Sequence, residues 1–101
     1  MTKEYIENFI SKEKNKFILI YFTATWCGPC KMFKRVLDAF LEKNSKNIEC
    51  IKIDVDGHRD LSLDYDISSV PTLLFFKNNS LVQRRTGTLD LAALEDIISN
   101  I

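Results

Sequence analysis

The chain has 101 residues, 46% of them apolar and 28% charged, and its 14 basic and 14 acidic side chains cancel. That balance suits one ordinary folded domain over 1–101, which buries roughly two-thirds of its unfolded surface. Zero net charge makes no electrostatic case for nucleic acid or an anionic membrane surface. The longest apolar run, Phe17 to Phe22, falls far short of the ~20 residues that cross a bilayer.

The opening Met1-Thr2-Lys3-Glu4 is polar and no apolar run of signal-peptide length follows it, so a cytoplasmic location is the expectation, with an organelle matrix as the alternative. The 3 cysteines, Cys27, Cys30 and Cys50, are too few for a stapled secreted scaffold. A close pair in a reducing compartment points instead to catalysis or to a metal.

In chain order, Thr2 to about Asn15 reads as a helix capped by Thr2, with Ile6, Phe9 and Ile10 inward. Phe17 to Phe22 is continuously apolar, as a central strand covered on both faces must be. From Met32 to about Asn44 the pairs Met32/Phe33, Val36/Leu37 and Phe40/Leu41 recur at helical spacing, with Lys31, Lys34, Arg35, Glu42 and Lys43 opposite. Ile48 to Val55 is a second strand, ended by Asp56-Gly57, and a short helix with Leu61 and Tyr65 inward precedes Ser68-Ser69. Thr72 to Phe76 is a third strand. Lys77-Asn78-Asn79-Ser80 is a hairpin turn, because asparagine tolerates positive φ, and Leu81 to Arg85 returns from it. Asp90 caps a last helix with Leu91, Leu94, Ile98 and Ile101 inward. The order α-β-α-β-α-β-β-α predicts an α/β fold: a mixed sheet with helices on both faces, the first two strands parallel and the last two an antiparallel hairpin.

Trp26-Cys27-Gly28-Pro29-Cys30-Lys31 stands where the first strand hands over to a helix. Positions i and i+3 of a helical turn share a face, so the two sulfurs lie within bonding reach. The backbone N–H groups and the positive dipole end of that turn favour a thiolate. A pair held this way is a reversible two-electron switch. The competing readings are inert core cysteines and a zinc site. A closed zinc site needs four ligands, and Cys27, Cys30, Cys50 and His58 are spread over a turn, a strand and a loop. No metal is expected.

With Ala24-Thr25 before this motif, Lys52-Ile53-Asp54-Val55-Asp56 after it, then Val70-Pro71-Thr72, Phe76-Lys77-Asn78 and the lone Gly87, nearly the whole chain resembles the thioredoxin family. The resemblance implies that Cys27 is the nucleophile with the more exposed sulfur. Cys27 would attack a protein disulfide, and Cys30 would displace the resulting mixed disulfide. Gly28-Pro29 between the cysteines resembles the reducing members. A cis Val70–Pro71 bond is implied too, although only about 5–6% of X-Pro bonds are cis. It would set Val70 beside the dithiol, with Trp26, Thr72 and Gly87 completing a shallow groove. A plain core place for Trp26 and a strand-end role for Gly87 are the alternatives.

Four departures from the family pattern carry expectations. The family's buried acid falls at Tyr21, whose side-chain type ordinarily titrates near 10 and makes a poor base, so proton transfer would pass through water or the leaving thiolate. Lys52 then either neighbours that transfer or snorkels. The family's mid-helix proline falls at Arg35, weakening the usual kink, and Asn79 replaces a hairpin glycine. Little chain precedes the first helix, so the N-terminal edge strand should be short or missing and the sheet should have about four strands. Cys50 reads as a small hydrophobe in its strand and His58 as a solvated loop residue. The resemblance implies a monomeric protein-disulfide reductase with no cofactor of its own, acting on disulfide-containing clients and recharged by an NADPH-dependent thioredoxin reductase. A non-catalytic interaction module is the rival class.

Overall fold

In a computed structural model, which describes residues 1–100, the apolar run becomes β1 (Phe17–Thr23) and lies inside the sheet. Its side chains alternate between two cores. Phe17, Leu19 and Tyr21 face one, packed with Phe33, Leu37 and Phe40 of α2 (Gly28–Lys43) and Leu94 and Ile97 of α4 (Leu91–Ser99). Ile18, Ile20 and Phe22 face the other, packed with Ile6 and Ile10 of α1 (Lys3–Lys12) and Leu61 of α3 (Arg59–Asp64). This is why no polar residue interrupts the run: neither face of β1 meets water.

The sheet has 4 strands in the order β2-β1-β3-β4, where β2 is Ile48–Asp54, β3 Thr72–Lys77 and β4 Ser80–Thr86. β1 pairs with β2 in parallel and with β3 antiparallel, and β3 pairs antiparallel with β4. Registers Thr23 with Asp54, Phe22 with Thr72, and Thr72 with Thr86 bring four strand ends to one rim. The hairpin turns through Asn78 (φ 50°) and Asn79 (φ 68°), the left-handed pair that a two-residue turn requires.

Caps are where the sequence places them: Thr2 Oγ1 accepts from Tyr5 N–H at 3.1 Å, and Asp90 Oδ1 from Ala93 N–H at 2.8 Å. Three details differ. α1 stops at Lys12, because the chain turns extended at Glu13 and left-handed at Asn15 (φ 68°). On α2 the inward stripe is Cys30, Phe33, Leu37 and Phe40, leaving Met32 75% exposed. On α4 it is Leu94 and Ile97, with Ile98 half-buried and Leu91 exposed, while Ile101 lies outside the described residues. The α4 stripe is rotated by about one position, whereas α2 keeps Phe33, Leu37 and Phe40 inward as expected, with Val36 and Leu41 packed beside them. α2 runs unbroken past Arg35.

Candidate active site

Cys27 is the N-cap of α2 and Pro29 lies in the helix's first turn, where a missing N–H costs nothing. The Cys27 Sγ accepts from the Cys30 N–H at 3.2 Å, so the sulfur takes the place of a capping oxygen and sits at the positive end of the helix dipole. The Cα atoms of Cys27 and Cys30 are 5.3 Å apart and the sulfurs are bridged. Cys27 keeps 4% of its surface and Cys30 2%, so Cys27 is the more exposed only by a narrow margin. The pair forms a small cluster with Ala24, edged by Val55 and Val70.

The Val70–Pro71 peptide is cis, and the Val70 carbonyl oxygen lies 3.8 Å from Cys27 Sγ. Pro71 is buried and its carbonyl accepts from Gly87 N–H at 2.9 Å, which ties the loop to the end of β4. Gly87 holds φ at +88°, a conformation that a side chain would strain. Thr72 is buried, its Oγ1 donating to Ser69 O at 2.7 Å, so it braces the loop from within and does not line the surface. Trp26 is 68% exposed, which removes the core reading. Its Nε1–H donates to Asp56 Oδ2 at 2.7 Å. A groove of about 310 Å³ runs from Trp26 and Val70 to Val55, Arg59, Leu63 and Ile67. A Cβ at Gly28 would meet nothing within 4 Å, so the folded chain alone does not demand glycine there.

Tyr21 is buried beneath the site, its ring edge-on to Phe33 with centroids 5.7 Å apart, and its hydroxyl has no hydrogen-bond partner. Lys52, its register neighbour on β2, donates to Asp38 Oδ1 at 2.6 Å. Lys34 donates to Asp38 Oδ2 at 2.7 Å, and these two bonds hold the Asp38 carboxyl below its usual range. Cys50 is half-buried in β2, and burial pushes its thiol up to about 12. His58 begins α3 without a side-chain capping bond.

Asp38, Asp54 and Asp56 carry none of the roles expected from the sequence. Asp38 has a local partner in Lys34, one helical turn away, but its tie to Lys52 is remote in the chain and was hidden. The other two had a signal: an Asp-x-Asp before Gly57 at a strand end, which forms side-chain-to-backbone turns. Asp54 Oδ1 indeed accepts from Asp56 N–H at 3.0 Å. Among the described residues, no three His, Cys, Asp or Glu side chains cluster as metal ligands, and no helix is long and apolar enough to cross a membrane.

A bridged cysteine pair at a helix start, facing a proline loop at the rim of a mixed sheet, is the layout of the thioredoxin-like fold class. Residues 1–100 match the thioredoxin family profile, and the chain belongs to the thioredoxin family. It is 39% identical over 93 residues to the thioredoxin of Chlamydia trachomatis serovar D, covering 92% of this chain and 90% of that one. It is 38% identical over 87 residues to the chloroplastic thioredoxin M3 of Oryza sativa subsp. japonica, covering 82% of this chain but only 50% of the rice protein. The oxidised structure of mitochondrial thioredoxin 3 from Saccharomyces cerevisiae superposes with a TM-score of 0.84 at 30% identity, over 97% of this chain and 89% of the yeast one.

Proposed function

We propose that this chain is a protein dithiol–disulfide oxidoreductase that works as a reductant through Cys27 and Cys30. The observation that carries the reading is the position of Cys27: its sulfur caps α2, receives the Cys30 N–H and lies 3.8 Å from the Val70 carbonyl. A thiolate there is stabilised by the helix start, as a nucleophile for disulfide exchange requires. Cys27 attacks one sulfur of the client disulfide and the other leaves as a thiolate. Cys30 then attacks Cys27, the Cys27–Cys30 bond forms and the reduced client departs.

Trp26, Gly28, Pro29, Val70, Pro71 and Gly87 form the client surface in this reading, with Thr72 bracing it. The free space over Gly28 admits an extended client backbone, and the Val70 backbone pairs with it in the manner of strand addition. The partners are disulfide-containing proteins and an NADPH-dependent thioredoxin reductase. The chain acts as one domain and a monomer in the reducing cytoplasm, passing electrons without a cofactor of its own. Insulin turbidity with dithiothreitol tests the activity: wild type accelerates precipitation and Cys27→Ser does not. Equal behaviour of the two proteins would move the chain to the class of non-catalytic binding modules. Omitting dithiothreitol and supplying NADPH with a thioredoxin reductase tests the recharging partner.

A further inference from the structure

Beside Cys30 lies a hollow of about 370 Å³, whose walls include Cys30, Tyr21, Lys31, Lys34, Lys52 and Asp54 but neither Cys27 nor Val70. Water occupies about 30 Å³ per molecule in the liquid, so this space holds several. We propose that Asp54, acting through water in this hollow, accepts the proton of Cys30 when the mixed disulfide is resolved. The inference rests on the dithiol–disulfide reading above.

Of the titratable groups in and around this hollow, only one can take that proton. Tyr21 offers a phenol, a weak acceptor at neutral pH, and its hydroxyl is shut off from solvent. Lys31, Lys34 and Lys52 are cations that favour a thiolate but take no proton from it. Asp38, on the same helix as Cys30, has one oxygen engaged by Lys34 and the other by Lys52, and it is not part of the hollow's wall. Asp56 spends one oxygen on the Trp26 indole and lines the groove on the client side. Asp54 is different. Its Oδ1 is fixed by the Asp56 N–H at 3.0 Å, while Oδ2 has no hydrogen-bond partner among the described residues. It ends β2 in register with Thr23, four residues before the Cys27 cap. That makes it the one carboxylate of the hollow with a free oxygen.

In the step itself, Cys30 S–H gives its proton through a water to Asp54 Oδ2. The Cys30 thiolate attacks Cys27 Sγ, so the Cys27–Cys30 bond forms as the Cys27–client bond breaks and its electron pair leaves on the client sulfur. Asp54 releases its proton to solvent, and the client thiolate takes one up. The dithiol loses two electrons, the client disulfide gains two, and no further reactant is needed.

The test uses the aromatic disulfide DTNB as client on the full chain, with Cys50→Ala in every protein compared so that only two thiols report. The first thionitrobenzoate released follows attack by Cys27, and the second follows resolution by Cys30. Asp54→Asn keeps the acceptor for the Asp56 N–H, so the local turn is preserved. It should leave the first release unchanged and slow the second by about tenfold or more at neutral pH. That deficit should close as pH rises and solvent takes the proton instead, and Asp54→Glu should recover most of the rate. A second release in Asp54→Asn with the wild-type rate and pH profile would overturn the proposal, as would a slowing that stays the same at every pH. A wild-type protein with no second release would instead remove the dithiol reading on which the proposal stands.

Discussion

The Tyr21 hydroxyl sits inside the larger of the two cores with no partner, although the ring around it is well packed. A buried hydroxyl without a hydrogen bond costs about 1–3 kcal/mol. Tyr21→Phe keeps the edge-on contact with Phe33 and removes the orphaned group. Urea denaturation should therefore show the variant as stable as wild type or more so, by up to about 1–2 kcal/mol. A loss of stability would mean that the hydroxyl has a partner after all. Cys50 illustrates the opposite outcome for a polarisable side chain: its thiol stays protonated across the physiological range, as a packing residue's should.

Asp38 joins two elements, accepting from Lys34 on its own helix and from Lys52 on β2. All three side chains are at least 40% exposed, so water and salt screen the pairs, and each is worth no more than about 0.2–1 kcal/mol. The Asp38 carboxyl is held below its ordinary 3.8 by these lysines. Its contribution is therefore present at neutral pH and disappears as pH falls through the folded-state value. Thermal melts should show Asp38→Asn slightly less stable than wild type at pH 7, with the gap closing below about pH 4. A gap that persisted in acid would rule out the charge as its origin. This clip also marks what the sequence leaves dark. β1, the caps at Thr2 and Asp90, the Asn78-Asn79 turn and the Cys27-Cys30 pair are all local, and local physics makes them readable. The α4 face was legible only to within about one position, because Leu91 fits a helical stripe as well as Ile97 does, while on α2 the pattern erred only at Met32. The Lys52–Asp38 bond, the Asp56 hold on Trp26 and the hollow beside Cys30 join segments distant in the chain, and no periodicity announces them. Gly87 was readable by resemblance, while its left-handed backbone and its bond to Pro71 needed the fold.

At the scale of the molecule, β1 is a partition shared by two cores, and damage to either side reaches the other through one strand. Leu19 is fully buried, and Leu19→Ala should cost about 2–5 kcal/mol through lost transfer energy and the cavity left behind. Far-UV circular dichroism and Trp26 fluorescence should report the same midpoint for the variant. Separate midpoints would show that the site melts independently of the body. The rim that carries the dithiol gathers the far ends of β1, β2 and β4 with the start of β3, whereas the Asn78-Asn79 turn closes the opposite end of the β3–β4 hairpin. Six residues of extended strand, Thr72 to Lys77, set those ends on the order of 20 Å apart. An affinity handle or a surface tether spliced into that distal turn would leave the rim that carries the dithiol unobstructed, so the protein lends itself to immobilisation as a reusable thiol reagent.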